Sequence, residues 1–359
     1  MFNRIATTLA LTALAAACTS KGETGSVASA ADSTTRSAST DTPASGGSAT
    51  SGPPGSFVLT AEDSARVPNE LGRIPVVEYH LIDTADGRYA RERGRFARDL
   101  ELIYKRGYRP VSISQVLDKK IDLPRGLSPV VFVFDDASPS QFRYIERNGN
   151  LEIDPVSGIG IWNKFRETHP DWGNNAVFCM LSGAQAGRSF FGDKGIEGQK
   201  SEWRHRKVQY LKEQGFELCN HTLWHANLSK YSDAVVQEQI ARGEMAIDSA
   251  VPGYNVRTFA LPLGVWPKNR ALVKSGSWTD PKTGKAFRYE NEAILEVAGG
   301  PTESPHDPKF NPLSIKRIEV FGNQLEQVLD RLDKNASRYV SDGDPSKVAR
   351  PASVVPPAS

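Results

Sequence analysis

Short apolar runs alternate with stretches of helical periodicity along most of the chain. The runs have the length of strands and lie at residues 74–80, 108–112, 129–134, 176–181, 216–220, 258–261 and 293–297. Helical periods lie between and after them, at residues 91–106, 202–214, 233–250 and 323–332. Because strands that alternate with helices pair in parallel, the pattern predicts an α/β fold. The length of this region suits one α/β barrel or two small domains.

The two ends of the chain lack this alternation. Arg4 precedes an apolar run that is too short to cross roughly 30 Å of hydrocarbon as a helix and is typical of a secretion signal. Small and polar residues then dominate up to residue 56 and again near the C-terminus, and such segments cannot bury enough surface to offset their ordering entropy. The sequence therefore predicts a signal at 1–18, a flexible tether at 19–56, a folded domain at 57–340 and a disordered tail at 341–359.

The signal ends in Leu14-Ala-Ala-Ala-Cys18, which resembles the bacterial lipobox, where the cysteine is lipidated after cleavage. An ordinary signal cleaved near Ala17 is the alternative. Lipidation tethers a chain without making it an integral membrane protein. Thr19, not Asp, follows the cysteine, which by resemblance favours the outer membrane. We expect an exported, periplasmic protein whose membrane contact is a lipid anchor on Cys18.

The charge of the chain bears on nucleic-acid binding, and its cysteine content bears on disulfide formation. The chain has 44 basic and 42 acidic residues without a basic block, so no nucleic-acid partner is expected. Beyond Cys18, the chain has Cys179 and Cys219, which could form a disulfide if their strands are adjacent or remain separate buried thiols. Nothing in the sequence sets the oligomeric state.

Polar residues follow three of the predicted strands directly: Asp135-Asp136, then His221 and His225, then Pro262-Leu-Gly264. Functional groups of parallel α/β folds gather at the carboxyl ends of strands. Two imidazoles four residues apart suit chelation of zinc if the segment is helical or tightly turned. Adjacent carboxylates can divide roles, one on a metal and one taking a proton. A chance histidine pair and a helix-capping aspartate are the structural alternatives.

These residues carry a family resemblance that extends over most of residues 74 to about 335. Val131-Phe-Val-Phe-Asp-Asp136 resembles the TFDDG motif of the polysaccharide deacetylases, the family-4 carbohydrate esterases, and His221-Thr-Leu-Trp-His225 matches their H[ST]xxH motif. Phe259-Ala-Leu-Pro-Leu-Gly264 is similar to a weakened FRPPYG or FAYPYG motif. Ile74-Pro-Val-Val-Glu-Tyr-His80 resembles the opening of the poly-N-acetylglucosamine deacetylase type. The resemblance implies a distorted (β/α) barrel of about seven parallel strands, with loop insertions.

The resemblance also implies a role for each motif residue. Asp136, His221 and His225 would bind a divalent metal, usually zinc. Asp135 would be the general base that activates water, and the backbone N–H of Leu263 would help to hold the oxyanion.

A general acid and two substrate contacts complete the expected site. His80 matches the early histidine that serves as general acid in permuted members of the family. Trp224, inside the second motif, is the candidate for contact with a sugar ring, although a packing role is common for tryptophan. Pro262 is the further substrate-binding candidate. The predicted insertions at 139–172 and 275–292 have no assigned role.

Several positions depart from the motifs. Ala137 replaces the glycine of the first motif, and Leu263 replaces the usual tyrosine of the third. Ala260 stands where many members have an arginine that pairs with the base, and Arg257, three residues earlier, cannot be assumed to substitute. None of these changes removes a metal ligand or the base.

The expected function is removal of N-acetyl groups from an amino-sugar polysaccharide of the cell envelope: poly-N-acetylglucosamine, a chitin-like polymer or peptidoglycan. One alternative is an O-acetyl esterase, of xylan type, that uses the same site. Another is a non-catalytic, glycan-binding envelope lipoprotein. A glycosidase is disfavoured because the adjacent Asp135 and Asp136 are poorly placed to flank a glycosidic bond at the ~5–9 Å separation that such enzymes use.

Overall fold

The computed structural model describes residues 56–183 and 189–351. The predicted signal, nearly all of the predicted tether and Cys18 lie outside the described residues. The helices are α1 (Ala61–Ala65), α2 (Arg93–Lys105), α3 (Ile113–Leu117), α4 (Gly158–Thr168), α5 (Arg204–Glu213), α6 (Asp233–Ala250), α7 (Ala271–Lys274) and α8 (Gln324–Lys334). The strands are β1 (Val76–Tyr79), β2 (Leu81–Asp83), β3 (Ala90–Glu92), β4 (Tyr108–Pro110), β5 (Ser128–Phe134), β6 (Tyr144–Arg147), β7 (Asn150–Ile153), β8 (Val177–Met180), β9 (Glu217–Asn220), β10 (Thr258–Ala260), β11 (Ser275–Thr279), β12 (Ala286–Glu290), β13 (Ala293–Leu295) and β14 (Ile318–Glu319).

The main sheet has the strand order β13-β10-β9-β8-β5-β1-β14, and β4 pairs with the first part of β5. Every pair in it is parallel. A parallel bridge from Leu295 to Ile315 joins β13 to the chain that leads into β14, so both ends of the curled sheet meet one segment. The prediction of a distorted (β/α) barrel of about seven parallel strands is confirmed.

Alternate residues of β5 belong to two different hydrophobic clusters. Phe132 and Phe134 pack with the buried faces of the surrounding helices, α2, α5 and α8 among them. Val131 and Val133 pack with residues from most other strands of the sheet, inside the barrel. Because side chains alternate along a strand, Asp135 continues the inward series, at the carboxyl end of β5.

Both segments predicted as insertions contain regular elements. Residues 139–172 hold the hairpin β6–β7 and helix α4, which lies between β5 and β8 in the chain, and residues 275–292 hold the hairpin β11–β12. Glycines at the start of α4 lower its helix propensity, which obscures the helix in the sequence. One of them is required by packing, since a Cβ on Gly160 would lie 2.1 Å from the carbonyl oxygen of Asp154.

Three further features complete the fold. Cys179 and Cys219 are partners across β8 and β9 and form a disulfide, which decides between the two alternatives left by the sequence. Contacts continue past the predicted boundary at residue 340, because Ala349 and Glu70 exchange backbone and side-chain hydrogen bonds of 2.8 and 3.0 Å. No helix in the described part of the chain combines the length and the apolar character that a membrane crossing requires.

Candidate active site

A tight turn after β9 brings the two motif histidines together. Thr222 and His225 have positive φ values of 70° and 60°. The side chain of Asn220 accepts a hydrogen bond from the Thr222 N–H at 2.9 Å, and the Thr222 hydroxyl accepts one from the His225 N–H at 3.0 Å. The imidazole centroids of His221 and His225 lie 4.9 Å apart. The segment is therefore a tight turn. A helix and a tight turn were the two conformations in which the histidine pair was expected to suit chelation.

Asp136 faces both imidazoles from the end of β5. Its Oδ1 lies 3.5 Å from Nε2 of His221 and 3.5 Å from Nε2 of His225. One donor atom of each of the three residues lies within 4.8 Å of the others. The structure thus brings together the three predicted metal ligands from two separate strands.

One nitrogen of His221 is fixed by the backbone. Nδ1 lies 2.9 Å from the carbonyl oxygen of Ala260, which only accepts, so Nδ1 carries a proton, and the neutral form of the ring offers the Nε2 lone pair to a cation. Nε2 of His221 and Oδ1 of Asp136 are buried, and neither has a hydrogen-bond partner among the described residues. Buried polar atoms are normally satisfied, and a divalent cation would satisfy both.

The third ligand is also suited to a cation. Burial, and then the neighbouring His221, lower the pKa of His225 to about 4, so its imidazole is neutral at neutral pH. A neutral imidazole is the form that coordinates a metal. The donor set of two histidines and one carboxylate, with a second-sphere carbonyl on His221, fits a divalent metal that prefers N and O ligands.

Asp135 is fully buried beside this cluster. Its Oδ1 accepts a 2.8 Å hydrogen bond from Nη1 of Arg317, while Oδ2 lies 3.8 Å from Nε2 of His221. Burial alone would raise the pKa of Asp135, but Arg317, His221 and His80 outweigh it and hold the pKa below its ordinary value. Within the described residues Oδ2 has no hydrogen-bond partner. An ionised carboxylate with one free oxygen is what a general base requires.

Arg317 is a site residue that the sequence motifs do not reveal. It precedes β14, is fully buried, and its Nε donates to the Glu296 carbonyl at 2.6 Å. Arg317 therefore supplies the guanidinium that pairs with Asp135, in place of the arginine expected at the position of Ala260. Arg257 pairs instead with Glu292 and Asp118 on the surface. The available signal was weak, because the segment Ile315-Lys-Arg-Ile-Glu-Val320 alternates apolar and charged residues and only two of them form strand β14.

A second cluster of similar residue types lies next to the first. One donor atom each from Glu78, His80 and Asp135 lie within 4.8 Å of one another. Nη2 of Arg317 is 3.2 Å from Oε1 of Glu78 and Nη1 is 2.8 Å from Asp135, so the single positive charge of one guanidinium contacts both carboxyl groups. Arg317 would repel a cation in this cluster, so the first cluster is the better candidate for a metal position.

His80 is held by its backbone and by its ring. The Gln141 side chain donates to the carbonyl oxygens of both His80 and Asp135, which ties the ends of β1 and β5 together. Nε2 of His80 lies 3.5 Å from Oε1 of Glu78, and Tyr89 approaches the imidazole edge-on at 5.3 Å. Burial lowers the pKa of His80 although Asp135 and Asp136 oppose the shift.

The predicted oxyanion and substrate residues differ in exposure. Leu263 has a positive φ of 58° and is 57% exposed. Trp224 is 45% exposed, as contact with a sugar ring requires, whereas Pro262 is buried at the end of β10. Ala137 adopts a φ of 46°, in the left-handed region that favours the glycine of the family motif.

Part of the chain is similar to known polysaccharide deacetylases. The polysaccharide deacetylase family model matches residues 173–276, which include His221, His225 and Leu263. A chitooligosaccharide deacetylase of Sinorhizobium fredii is 30% identical over 121 residues, covering 32% of this chain. That match spans 54% of the relative's own length.

Two solved structures share the fold. IcaB from Ammonifex degensii aligns with a TM-score of 0.50 at 17% identity, over 74% of this chain and 98% of IcaB. The Streptococcus pyogenes deacetylase PplD, solved in complex with acetate, aligns with a TM-score of 0.50 at 17% identity, over 71% of this chain and 97% of PplD.

Proposed function

We propose that this chain is a polysaccharide deacetylase, a metal-dependent hydrolase that removes N-acetyl groups from an amino-sugar polysaccharide of the cell envelope. The observation that carries the proposal is the convergence of Asp136, His221 and His225 beside the buried Asp135. The similarity to a chitooligosaccharide deacetylase supports an N-acetylated amino sugar as the substrate.

Asp136, His221 and His225 would hold the cation, and we propose zinc because it accepts histidine nitrogen and carboxylate oxygen together. When bound, the cation supplies Lewis-acid stabilisation of the negative charge that develops on the acetyl carbonyl oxygen. Three protein ligands leave a coordination position for other groups, as catalysis requires.

The remaining residues handle protons and orientation. Asp135 accepts a proton as water attacks the acetyl carbonyl carbon, and Arg317 holds the carboxylate in place. The Leu263 N–H donates a hydrogen bond to the oxyanion. His80, in its protonated form, donates a proton to the departing nitrogen as the C–N bond breaks, which yields a free amino sugar and acetate. Asp135 then releases the proton taken from water, and His80 is reprotonated from solvent.

We also propose that the protein is exported and lipid-anchored in the periplasm. The apolar N-terminal run and Cys18 support this location, which would give the enzyme access to an envelope polymer.

Acetate release by the purified protein tests the reaction. The substrates are N-acetylglucosamine oligomers, peptidoglycan and acetylated xylan, each with added zinc and with chelator. Chelator-sensitive release from the amino-sugar substrates is expected. Release from xylan alone would identify an O-acetyl esterase. No release by a folded, zinc-binding protein would favour the non-catalytic, glycan-binding alternative.

A further inference from the structure

Glu78 is a buried acidic residue without a role in the reaction described so far. It lies in β1, and its side chain has no exposed surface. Neither carboxylate oxygen has a geometrically acceptable hydrogen bond within the described residues, although charged groups lie close by. A buried carboxyl group without hydrogen bonds is costly, so its presence inside a barrel whose interior is mostly hydrophobic needs a reason.

The strand geometry points Glu78 at His80. Residues two apart on a strand face the same side, so Glu78 and His80 both face the barrel interior. His80 lies at the carboxyl end of β1, and Glu78 lies two residues before it, deeper in the barrel. Oε1 of Glu78 lies 3.5 Å from Nε2 of His80. Tyr89 borders the ring at 5.3 Å, but it is 53% exposed and offers an edge contact instead of a fixed acceptor.

Arg317 links this pair to the base. Its Nη2 lies 3.2 Å from Glu78, and its Nη1 donates to Asp135 at 2.8 Å. One guanidinium therefore contacts the carboxyl group next to His80 and the carboxylate assigned as the base. Glu78, Arg317 and Asp135 form a buried bridge between the two groups that exchange protons in the reaction.

We propose that Glu78 is a positioning residue for the general acid. Its carboxyl group accepts a hydrogen bond from the His80 imidazole and fixes the rotation of the ring, while Arg317 fixes Glu78 relative to Asp135. This inference rests on the proposed deacetylation, because it concerns the proton that His80 gives to the departing nitrogen. Glu78 acts through His80 and does not touch the substrate.

The alternative is that Glu78 only balances the charge of Arg317. The two roles of Glu78, positioning of His80 and charge balance of Arg317, predict different effects on the rates of amide and ester hydrolysis. Loss of His80 orientation slows the cleavage of an amide, whose nitrogen must be protonated, but not of 4-nitrophenyl acetate, whose leaving group needs no proton. A disturbed Arg317 alters Asp135, the base for both substrates, and slows both.

The test compares Glu78→Met, which keeps the volume but removes the acceptor, with Glu78→Gln, which keeps an acceptor oxygen. The full chain, loaded with zinc, is assayed on an N-acetylglucosamine oligomer and on 4-nitrophenyl acetate, and zinc affinity is measured by calorimetry. We expect Glu78→Met to lower kcat for the amide about 10–100-fold, as loss of an orienting partner typically does. KM, ester hydrolysis and zinc affinity should stay unchanged, and Glu78→Gln should recover part of the amide activity.

Glu217→Gln is the matched control, because Glu217 is also a buried glutamate but lies at the opposite end of the sheet, bonded to Ser114 and Thr258. It should leave the ratio of amide to ester activity unchanged. A double-mutant cycle with His80→Ala gives an independent readout on the amide alone. Glu78→Gln should add no loss in the His80→Ala background.

Equal losses on both substrates, or a full additional loss in the His80→Ala background, would overturn the positioning role. Unchanged amide activity in both Glu78 variants would do the same. Failure of the proposed function is recognised separately, since the unmodified protein would then release no acetate from the amide in a chelator-sensitive way.

Discussion

Two clusters built from the same residue types lie side by side at the carboxyl ends of the strands. Asp136, His221 and His225 form the first, and Glu78, His80 and Asp135 form the second. In each cluster the donor atoms lie within 4.8 Å of one another. The difference is Arg317, whose guanidinium contacts both carboxylates of the second cluster. Donor types and distances are therefore insufficient to identify a metal site, because the neighbouring charges decide whether a cation is stable there.

The size of the charge effect supports this distinction. Two unit charges 4 Å apart interact by about 4 kcal/mol at an effective dielectric constant of 20. A divalent cation placed among Glu78, His80 and Asp135 would meet the guanidinium of Arg317 at such a range. Within the described residues, Asp136, the carboxylate of the first cluster, pairs with two imidazoles and forms no salt bridge with a guanidinium.

The largest effect should come from removing a ligand of the first cluster. We expect His221→Ala to abolish measurable zinc binding and acetate release, since the remaining two ligands cannot hold the cation tightly. His80→Ala should bind zinc with unchanged affinity, measured by calorimetry, while amide hydrolysis falls about 10²–10⁴-fold through loss of the general acid. Equal loss of zinc affinity in the two variants would show that the clusters share one metal.

Asp135→Asn separates the base from the ligands. The variant keeps the shape of the side chain but cannot accept the proton, so kcat should fall about 10²–10⁴-fold with zinc still bound. Zinc content and acetate release are measured on the same preparation. Asp118→Asn, on a surface carboxylate that pairs with Arg257, serves as the control and should remain active. Full activity of Asp135→Asn would remove Asp135 from the mechanism.

Arg317→Met tests what separates the clusters. Loss of one partner of a buried ion pair leaves Glu78 and Asp135 uncompensated, so the free energy of unfolding, measured in urea, should fall by about 3–5 kcal/mol. The folded variant should bind a second zinc ion per chain, detected as metal content after dialysis. Arg257→Met, which breaks surface pairs, should cost about 1 kcal/mol or less. A single zinc ion in Arg317→Met would mean that the guanidinium is not what excludes the cation.

The smallest effect should come from the exposed aromatic beside the first cluster. Trp224→Ala removes a stacking surface worth about 0.5–1.5 kcal/mol, so KM for an N-acetylglucosamine oligomer should rise about 2–12-fold with kcat unchanged. Tyr89→Ala, beside the second cluster, gives the parallel measurement. A fall in kcat without a change in KM would place Trp224 in loop packing instead of sugar contact.

Local patterns were enough to predict most elements and the motif residues. The strand predicted at 129–134 is Ser128–Phe134, and the helix predicted at 233–250 has the same bounds in the structure. Asp135-Asp136 and the two motif histidines lie in short contiguous patterns next to these strands. Alternation of side chains along a strand is a local property, so the sequence alone places such residues at strand ends.

The order of strands and helices, the parallel α/β class and the motif residues at the strand ends follow from local sequence patterns. The pairing of Arg317 with Asp135, 182 residues away, and the burial of Glu78 between Arg317 and His80 become visible in the folded chain alone. The same is true of the Cys179–Cys219 disulfide. The reason is physical: a buried charge is stabilised by whichever opposite charge the fold brings within a few ångströms, and that neighbour leaves no local pattern in the sequence.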